Sequence, residues 1–132
     1  MSKTRCILIF LLILLKYNGG RPEKDNFRFY DKKEGSTVHT FFGIYKDDNY
    51  NLLMSITEIG DRYPSDSFPI ACDVFGNHIC ITVKGPDRGK IYFWDHETEA
   101  DTAQGEVADY SNMTLISNSF GEFIDGLYEY ID

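Results

Sequence analysis

The stretch FPIACDVFGNHICITVKGPDRGKIYFWDHE, residues 68–97, decides the fold. Three runs rich in β-branched and aromatic residues are separated by two glycine-containing turns, which is the pattern of successive antiparallel strands. Apolar residues alternate within the runs, so each strand presents one face to a core. We predict strands at Phe68–Val74, His78–Lys84 and Lys90–Asp95, with turns near Phe75–Asn77 and at Gly85–Gly89.

Helical and strand-like patterns flank this meander. Apolar spacing predicts a first helix at about residues 5–17, a middle helix over Leu52–Ile59 and a C-terminal helix at about residues 119–131. Further strands are predicted at Asn26–Tyr30 and Val38–Tyr45, and a loop with one short strand follows the meander. The fold class is therefore α+β: a mainly antiparallel sheet of about five to six strands, with the N-terminal, middle and C-terminal helices packed on it.

The N-terminal segment CILIFLLILLKYNGG, Cys6–Gly20, admits three interpretations: an export signal, a membrane anchor or a buried helix. Its apolar run matches the core of a signal peptide in length, but a membrane span needs about 20 residues. No small-x-small cleavage site follows, and the closing Asn-Gly-Gly is typical of a helix C-cap. We favour the buried first helix of a cytoplasmic domain; the alternative is secretion, with residues 1–20 as a signal peptide.

Length and charge limit the classes of function. The chain has 132 residues, of which 42% are apolar and 26% charged, so we expect a single domain over residues 1–132. The net charge is −8, yet nine Lys/Arg and four Asp/Glu lie at or before Lys46, which leaves four basic and 17 acidic residues after it. Such a surface would repel nucleic acid and attract a basic protein by long-range steering. A merely solvated acidic surface is the plainer interpretation.

The densest polar triplet, Asp95-His96-Glu97, is a weak candidate for chemistry. Adjacent strand residues point to opposite faces, so the first two side chains would not converge. No second histidine stands at ligand spacing, and no nucleophile motif or phosphate loop is present. We predict no catalytic residue, no bound metal and no cofactor.

The cysteines leave three alternatives open. Cys72 would face Cys80 if the turn between them were Phe75–Asn77. The two thiols could then pack as small apolar groups, form a redox-active pair, or bind a metal with nearby Asp73 and His78. We favour packing, because seven intervening residues are too many for a zinc knuckle. The odd total of three cysteines also argues against a disulfide framework.

Three separated stretches together resemble a known family. LLKYNGGRP, at the end of the first hydrophobic run, resembles the opening signature of the SUKH superfamily, whose members include bacterial immunity proteins and a yeast regulator of cell-wall glucan synthesis. Residues 68–97 resemble the second signature, and SFGEFIDGL, Ser119–Leu127, resembles the last helix. The matches keep the family's order from about Leu8 to Leu127. Family members usually carry another helix before the first signature, so we expect a truncated N-terminus.

The resemblance implies a non-enzymatic, cytoplasmic immunity protein that binds and neutralises one cognate toxin, a nuclease or a deaminase. The alternative is a regulatory or scaffold domain related to the control of cell-wall synthesis. We expect a basic toxin as the partner, and neither nucleic acid nor a membrane. The resemblance supplies no binding residues, so charge alone places the contact surface at Asp95, Glu97, Glu99, Asp101, Glu106, Asp109 and Tyr110.

Overall fold

The computed structural model describes residues 21–42 and 62–129. Their strands divide between a five-stranded antiparallel sheet, in the order β3-β4-β5-β6-β7, and a two-stranded ribbon of β1 and β2. Short 3-10 helices lie between β6 and β7. The elements are β1 (Asn26–Arg28), β2 (Gly35–Thr37), β3 (Thr40–Phe41), β4 (Ser67–Cys72), β5 (His78–Thr82), β6 (Ile91–Trp94), β7 (Met113–Ser117) and α1 (Phe120–Asp125).

The central meander is confirmed, with shorter strands than the sequence predicted. It supplies β4, β5 and β6, each antiparallel to the next. The turn between β4 and β5 takes five residues, Asp73–Asn77, instead of three. Cys72 therefore pairs with His78, and Cys80 pairs with Pro69. The expectation that the two cysteines face each other is wrong, because the longer turn shifts the register.

The ribbon and α1 cover one face of the five-stranded sheet. At one edge the backbone N–H of Tyr30 donates to the carbonyl of Leu115 in β7 at 2.8 Å. Within the ribbon, Phe27 packs its ring against Phe93 of β6 and Phe123 of α1, with centroid separations of 6.2 and 5.7 Å. The apolar side chains between these layers form the main core, and their removal from water is the chief force holding the layers together.

The opposite face of the sheet carries a second, smaller cluster. Tyr63, Cys80 and Trp94 are buried there, with Met113 packed against them. Alternate positions of β5 and β6 supply side chains to this face, among them His78 and Cys80 of β5 and Trp94 of β6. The acidic segment that follows β6, residues 95–109, lies over this face.

The predicted single sheet with three helices packed on it is wrong. The strands form two sheets because the chain changes partner between β2 and β3. The N–H of Val38 still donates to Asp25 beside the ribbon, whereas the N–H of His39 donates to Cys72 of the larger sheet, each at 2.7 Å. Within the described ranges α1 is the single α-helix, and the predicted helices at 5–17 and 52–59 lie outside those ranges.

The predicted C-terminal helix at 119–131 is also too long. It begins as expected, with the Ser119 hydroxyl accepting from the N–H of Glu122 at 3.1 Å. It ends at Asp125 because the backbone of Tyr128 pairs with Asn26 of β1 in both directions, at 2.9 and 3.0 Å. Leu127 is buried even so, which explains why the apolar spacing continues past the end of the helix.

The strand pairing gives the sheet two chemically different ends. His78 lies opposite Trp94, so the Asp73–Asn77 turn and the connection after β6 leave at the same end. The turn between β5 and β6, residues 83–90, leaves at the other end. That turn, which we call the basic turn, carries three of the four Lys/Arg that follow Lys46 in the chain: Lys84, Arg88 and Lys90.

Candidate partner-binding surface

The acidic segment, residues 95–109, contains six carboxylates and neither lysine nor arginine. It leaves the end of β6 and returns there, since the N–H of Asp95 donates to the carbonyl of Asn112 at 3.0 Å. Its own side chains fix its course. The Asp95 carboxylate accepts from the N–H of Glu97 at 3.0 Å, and that of Glu106 accepts from the N–H of Asp101 at 2.7 Å. The segment thus has a defined path despite little regular structure.

Glu99 ties the acidic segment to the sheet. Arg62 donates to its two carboxylate oxygens at 2.7 and 2.6 Å, a bidentate pair. The same guanidinium lies 5.2 Å from the centroid of the Trp94 ring. The hydrogen bonds between the two charges raise the pKa of Arg62 and lower the pKa of Glu99. The charge of Glu99 is therefore already matched within the molecule.

The seven predicted contact residues differ in exposure. Glu97, Asp101, Glu106 and Asp109 are exposed, whereas Asp95 and Glu99 are half-buried. Tyr110 is also half-buried, and its hydroxyl is within 2.9 Å of both the Asp66 carboxylate and the Thr82 hydroxyl. Burial raises the pKa of Tyr110 above its ordinary value. The four exposed carboxylates are the ones free to meet a partner, and their role in binding stays a prediction.

Beneath the acidic segment lies an aromatic stack. The His78 imidazole lies almost parallel to the Trp94 ring, at a centroid distance of 5.3 Å and an angle of 17°, and Tyr63 meets the same indole edge-on. Burial lowers the pKa of His78 to about 4. The imidazole is therefore neutral near pH 7, and its Nδ1 can accept the hydrogen bond from the Tyr63 hydroxyl. The Arg62 guanidinium covers the Trp94 ring of this stack. The sequence pattern did not mark Arg62 as a functional residue.

The turn between β4 and β5 is built around the buried carboxylate of Asp73. Its oxygens accept from the N–H groups of Phe75 and Asn77, each at 2.9 Å, and from the Asn77 side-chain amide at 3.0 Å. The Ser36 hydroxyl of β2 donates to the same carboxylate at 3.3 Å. Three of these hydrogen bonds brace the turn from within, and the fourth links it to the ribbon.

Two apolar side chains project from that turn. Val74 is 59% exposed and Phe75 is 71% exposed. The turn also contacts the acidic segment, because the Asn77 side-chain carbonyl accepts from the N–H of His96 at 3.1 Å. The sequence pattern predicts a turn at Phe75 but assigns this residue no function. An apolar pair between Asp and Gly-Asn, where turn residues are usually polar, is the signal that could have marked it.

The two clusters considered for chemistry do not assemble. Asp95 caps the 3-10 helix that follows it, Glu97 points to solvent, and His96 lies beside Gly76. Cys72 and Cys80 are free thiols, and burial raises their pKa values to about 11 and about 12. Both are protonated near pH 7, which makes them weak nucleophiles. Residues 21–42 and 62–129 contain no group of three or more potential metal ligands.

A sequence profile of the SMI1 / KNR4 family (SUKH-1) matches residues 10–126. The chain belongs to this family. The resemblance to the SUKH superfamily is thereby confirmed over most of the sequence. No solved structure matches the chain. In the ranges that the structure describes, no helix has the length and apolar character needed to cross a membrane.

A second similarity is to a prophage-derived bacterial protein. The chain is 37% identical, over 89 residues, to the SPbeta prophage-derived uncharacterized protein YokK of Bacillus subtilis (strain 168). The matched region is 67% of this chain and 40% of YokK. This chain therefore spans well under two thirds of that relative's length, and the activity and partners of the whole protein are a matter for proposal.

Proposed function

We propose that this SUKH-1 chain is a non-enzymatic immunity protein that binds and neutralises a cognate basic toxin, a nuclease or a deaminase, in the cytoplasm. The observation that carries the proposal is the acidic segment, with its four exposed carboxylates held on a defined path. Membership of the SUKH-1 family supports a binding role.

The electrostatics explain why such a segment suits a basic toxin. An enzyme that acts on nucleic acid presents positive charge where phosphates bind, and a row of carboxylates can occupy that place. Charge complementarity of this kind raises association rates by about 10 to 1,000-fold and disfavours partners of the wrong sign. The prearranged backbone means that little ordering of the segment has to accompany binding.

The proposal is tested by co-expression. Each reading frame that flanks the gene is induced in a heterologous bacterial host, with and without this chain, and growth is followed. We expect one flanking product to stop growth and this chain to restore it. Restoration by none of the pairs contradicts the proposal. Co-purification of cell-wall synthesis proteins together with failed protection would favour the regulatory or scaffold alternative.

Charge variants locate the surface once that toxin is known. Glu97→Gln with Asp101→Asn removes two exposed carboxylates whose side chains make no hydrogen bond within the described residues. We expect the association rate constant to fall by about 10-fold at low salt. The matched control, Asp125→Asn with Glu129→Gln, makes the same change in net charge on exposed residues outside the acidic segment. Equal effects of the two double variants would show that only net charge matters.

A further inference from the structure

We propose that Val74 and Phe75, at the tip of the β4–β5 hairpin, form the apolar anchor of the toxin interface and insert into a pocket on the toxin that is bordered by lysine or arginine. This inference rests on the proposed function and names a contact that charge alone does not reveal. The acidic segment would then be the rim of the interface and the hairpin tip its centre.

Exposure and rigidity together single out this tip. Phe75 and Val74 are adjacent and both are well exposed. Within residues 21–42 and 62–129, the other large exposed apolar side chains, Tyr30, Val107 and Ile124, are isolated from one another in the chain. The four hydrogen bonds to Asp73 hold the backbone that carries the pair. A rigid loop that presents an aromatic ring loses little conformational entropy on binding, which favours affinity.

The carboxylates of the acidic segment beside the hairpin tip favour a basic partner for the anchor. A Cβ atom placed on Gly76 would lie 3.2 Å from the His96 ring, and Asn77 accepts from the N–H of His96. His96 stands between Asp95 and Glu97, and the latter is exposed. Phe75 is thus one residue away from a turn position that touches the acidic segment. An apolar centre with a polar, charged rim is the usual anatomy of a specific interface.

A second copy of this chain is a poorer occupant for the same reason. Two tips brought together about a twofold axis would also bring two acidic segments together, and like charges in contact oppose association. A basic partner with an apolar pocket satisfies both the ring and the carboxylates. The anchor is therefore assigned to the toxin.

The test is a binding measurement between purified wild-type or variant chain and the toxin identified by co-expression. Phe75→Ser is expected to weaken binding by about 30-fold or more, mainly through faster dissociation, as is typical of a central anchor residue. Val74→Ser should weaken binding by a smaller factor. Ile124→Ser, a matched loss of an exposed apolar side chain on α1, should change the dissociation constant by less than about twofold. Far-UV circular dichroism checks that each variant is folded.

Each outcome decides the matter. Wild-type affinity in Phe75→Ser overturns the anchor and leaves the proposed function intact. Failure of the wild-type chain to bind any flanking toxin overturns both. Light scattering that shows a wild-type dimer, dissolved by Phe75→Ser, assigns the tip to a second copy and overturns the inference. Selective weakening by the hairpin variants, with Ile124→Ser unaffected, supports it.

Discussion

His78 is a half-buried histidine that lies between an indole ring and a phenol. The parallel contact with Trp94 and the hydrogen bond to Tyr63 both suit a neutral imidazole. Burial lowers the pKa of His78 to about 4, against about 6.5 for an unfolded chain. Between those two values the unfolded chain binds the extra proton, so the free energy of unfolding falls as the pH is lowered through this window.

This linkage predicts a pH-dependent loss of stability that belongs to one residue. Between pH 7 and pH 5 the wild-type protein should lose about 2 kcal/mol more stability than His78→Gln, which has no imidazole to protonate. Urea unfolding of both proteins, followed by circular dichroism across this range, measures the difference. Above pH 7 the two curves should run parallel. Parallel curves below pH 6 as well would show that the imidazole is not held neutral.

At the scale of the element, the β4–β5 turn is specified by two residues with different tasks. Asp73 collects the polar groups of the turn around its carboxylate. Gly76 has a φ of 89°, a left-handed conformation that is strained for side chains with a Cβ atom. It also leaves room for the His96 ring. The turn therefore fixes both its own shape and the start of the acidic segment.

Gly76→Ala should be more destabilising than Gly85→Ala. Both glycines have similar positive φ values, 89° and 84°, so each substitution carries about 1 to 2 kcal/mol of backbone strain. A Cβ atom at Gly76 would also crowd His96, whereas nothing lies within 4 Å of one at Gly85. Urea denaturation of both single variants measures the difference. Adding His96→Ala should remove the excess, and an unchanged excess would contradict the contact.

The elements that the sequence predicted well are those fixed by their own pattern. The apolar alternation that includes Ile79 and Ile81 in β5 and begins at Ile91 in β6 is enough to identify the meander. The length of the β4–β5 turn cannot be seen in that pattern, because it depends on the hydrogen bonds that the Asp73 carboxylate accepts. The early end of α1 is equally hidden, since Tyr128 pairs with a strand about 100 residues earlier in the chain. Hydrogen bonds of one side chain therefore decide the length of the turn, and long-range backbone pairing decides the end of α1.

At the scale of the whole molecule, charge and apolar exposure are arranged for different steps of binding. The carboxylates of the acidic segment act at long range, whereas the hairpin tip acts only in contact. The basic turn lies at the opposite end of the sheet from the hairpin tip, since β5 runs from one to the other. The sequence revealed the acidic segment directly, but the ion pair that neutralises Glu99 and the exposure of Phe75 became visible only in the folded chain.

This division of roles predicts separable kinetics with the toxin. Raising the salt concentration from about 50 mM to about 500 mM should lower the association rate constant by about 10-fold and change dissociation little, because salt screens long-range attraction. Stopped-flow mixing at several salt concentrations measures both constants. Neutralising the basic turn with Lys84→Gln and Arg88→Gln should not slow association. A salt effect confined to dissociation would contradict this arrangement.

Trp94 is the single tryptophan of the chain, which makes the aromatic stack an optical reporter. Its indole lies against His78 and Tyr63, beneath the guanidinium that fastens the acidic segment. All tryptophan fluorescence of this protein therefore originates beside the proposed interface. Breaking the Glu99–Arg62 ion pair, protonating the His78 imidazole or exposing the stack to water will change the Trp94 emission. No attached dye is needed. The binding of a partner that lacks tryptophan can therefore be followed by the intrinsic fluorescence of Trp94.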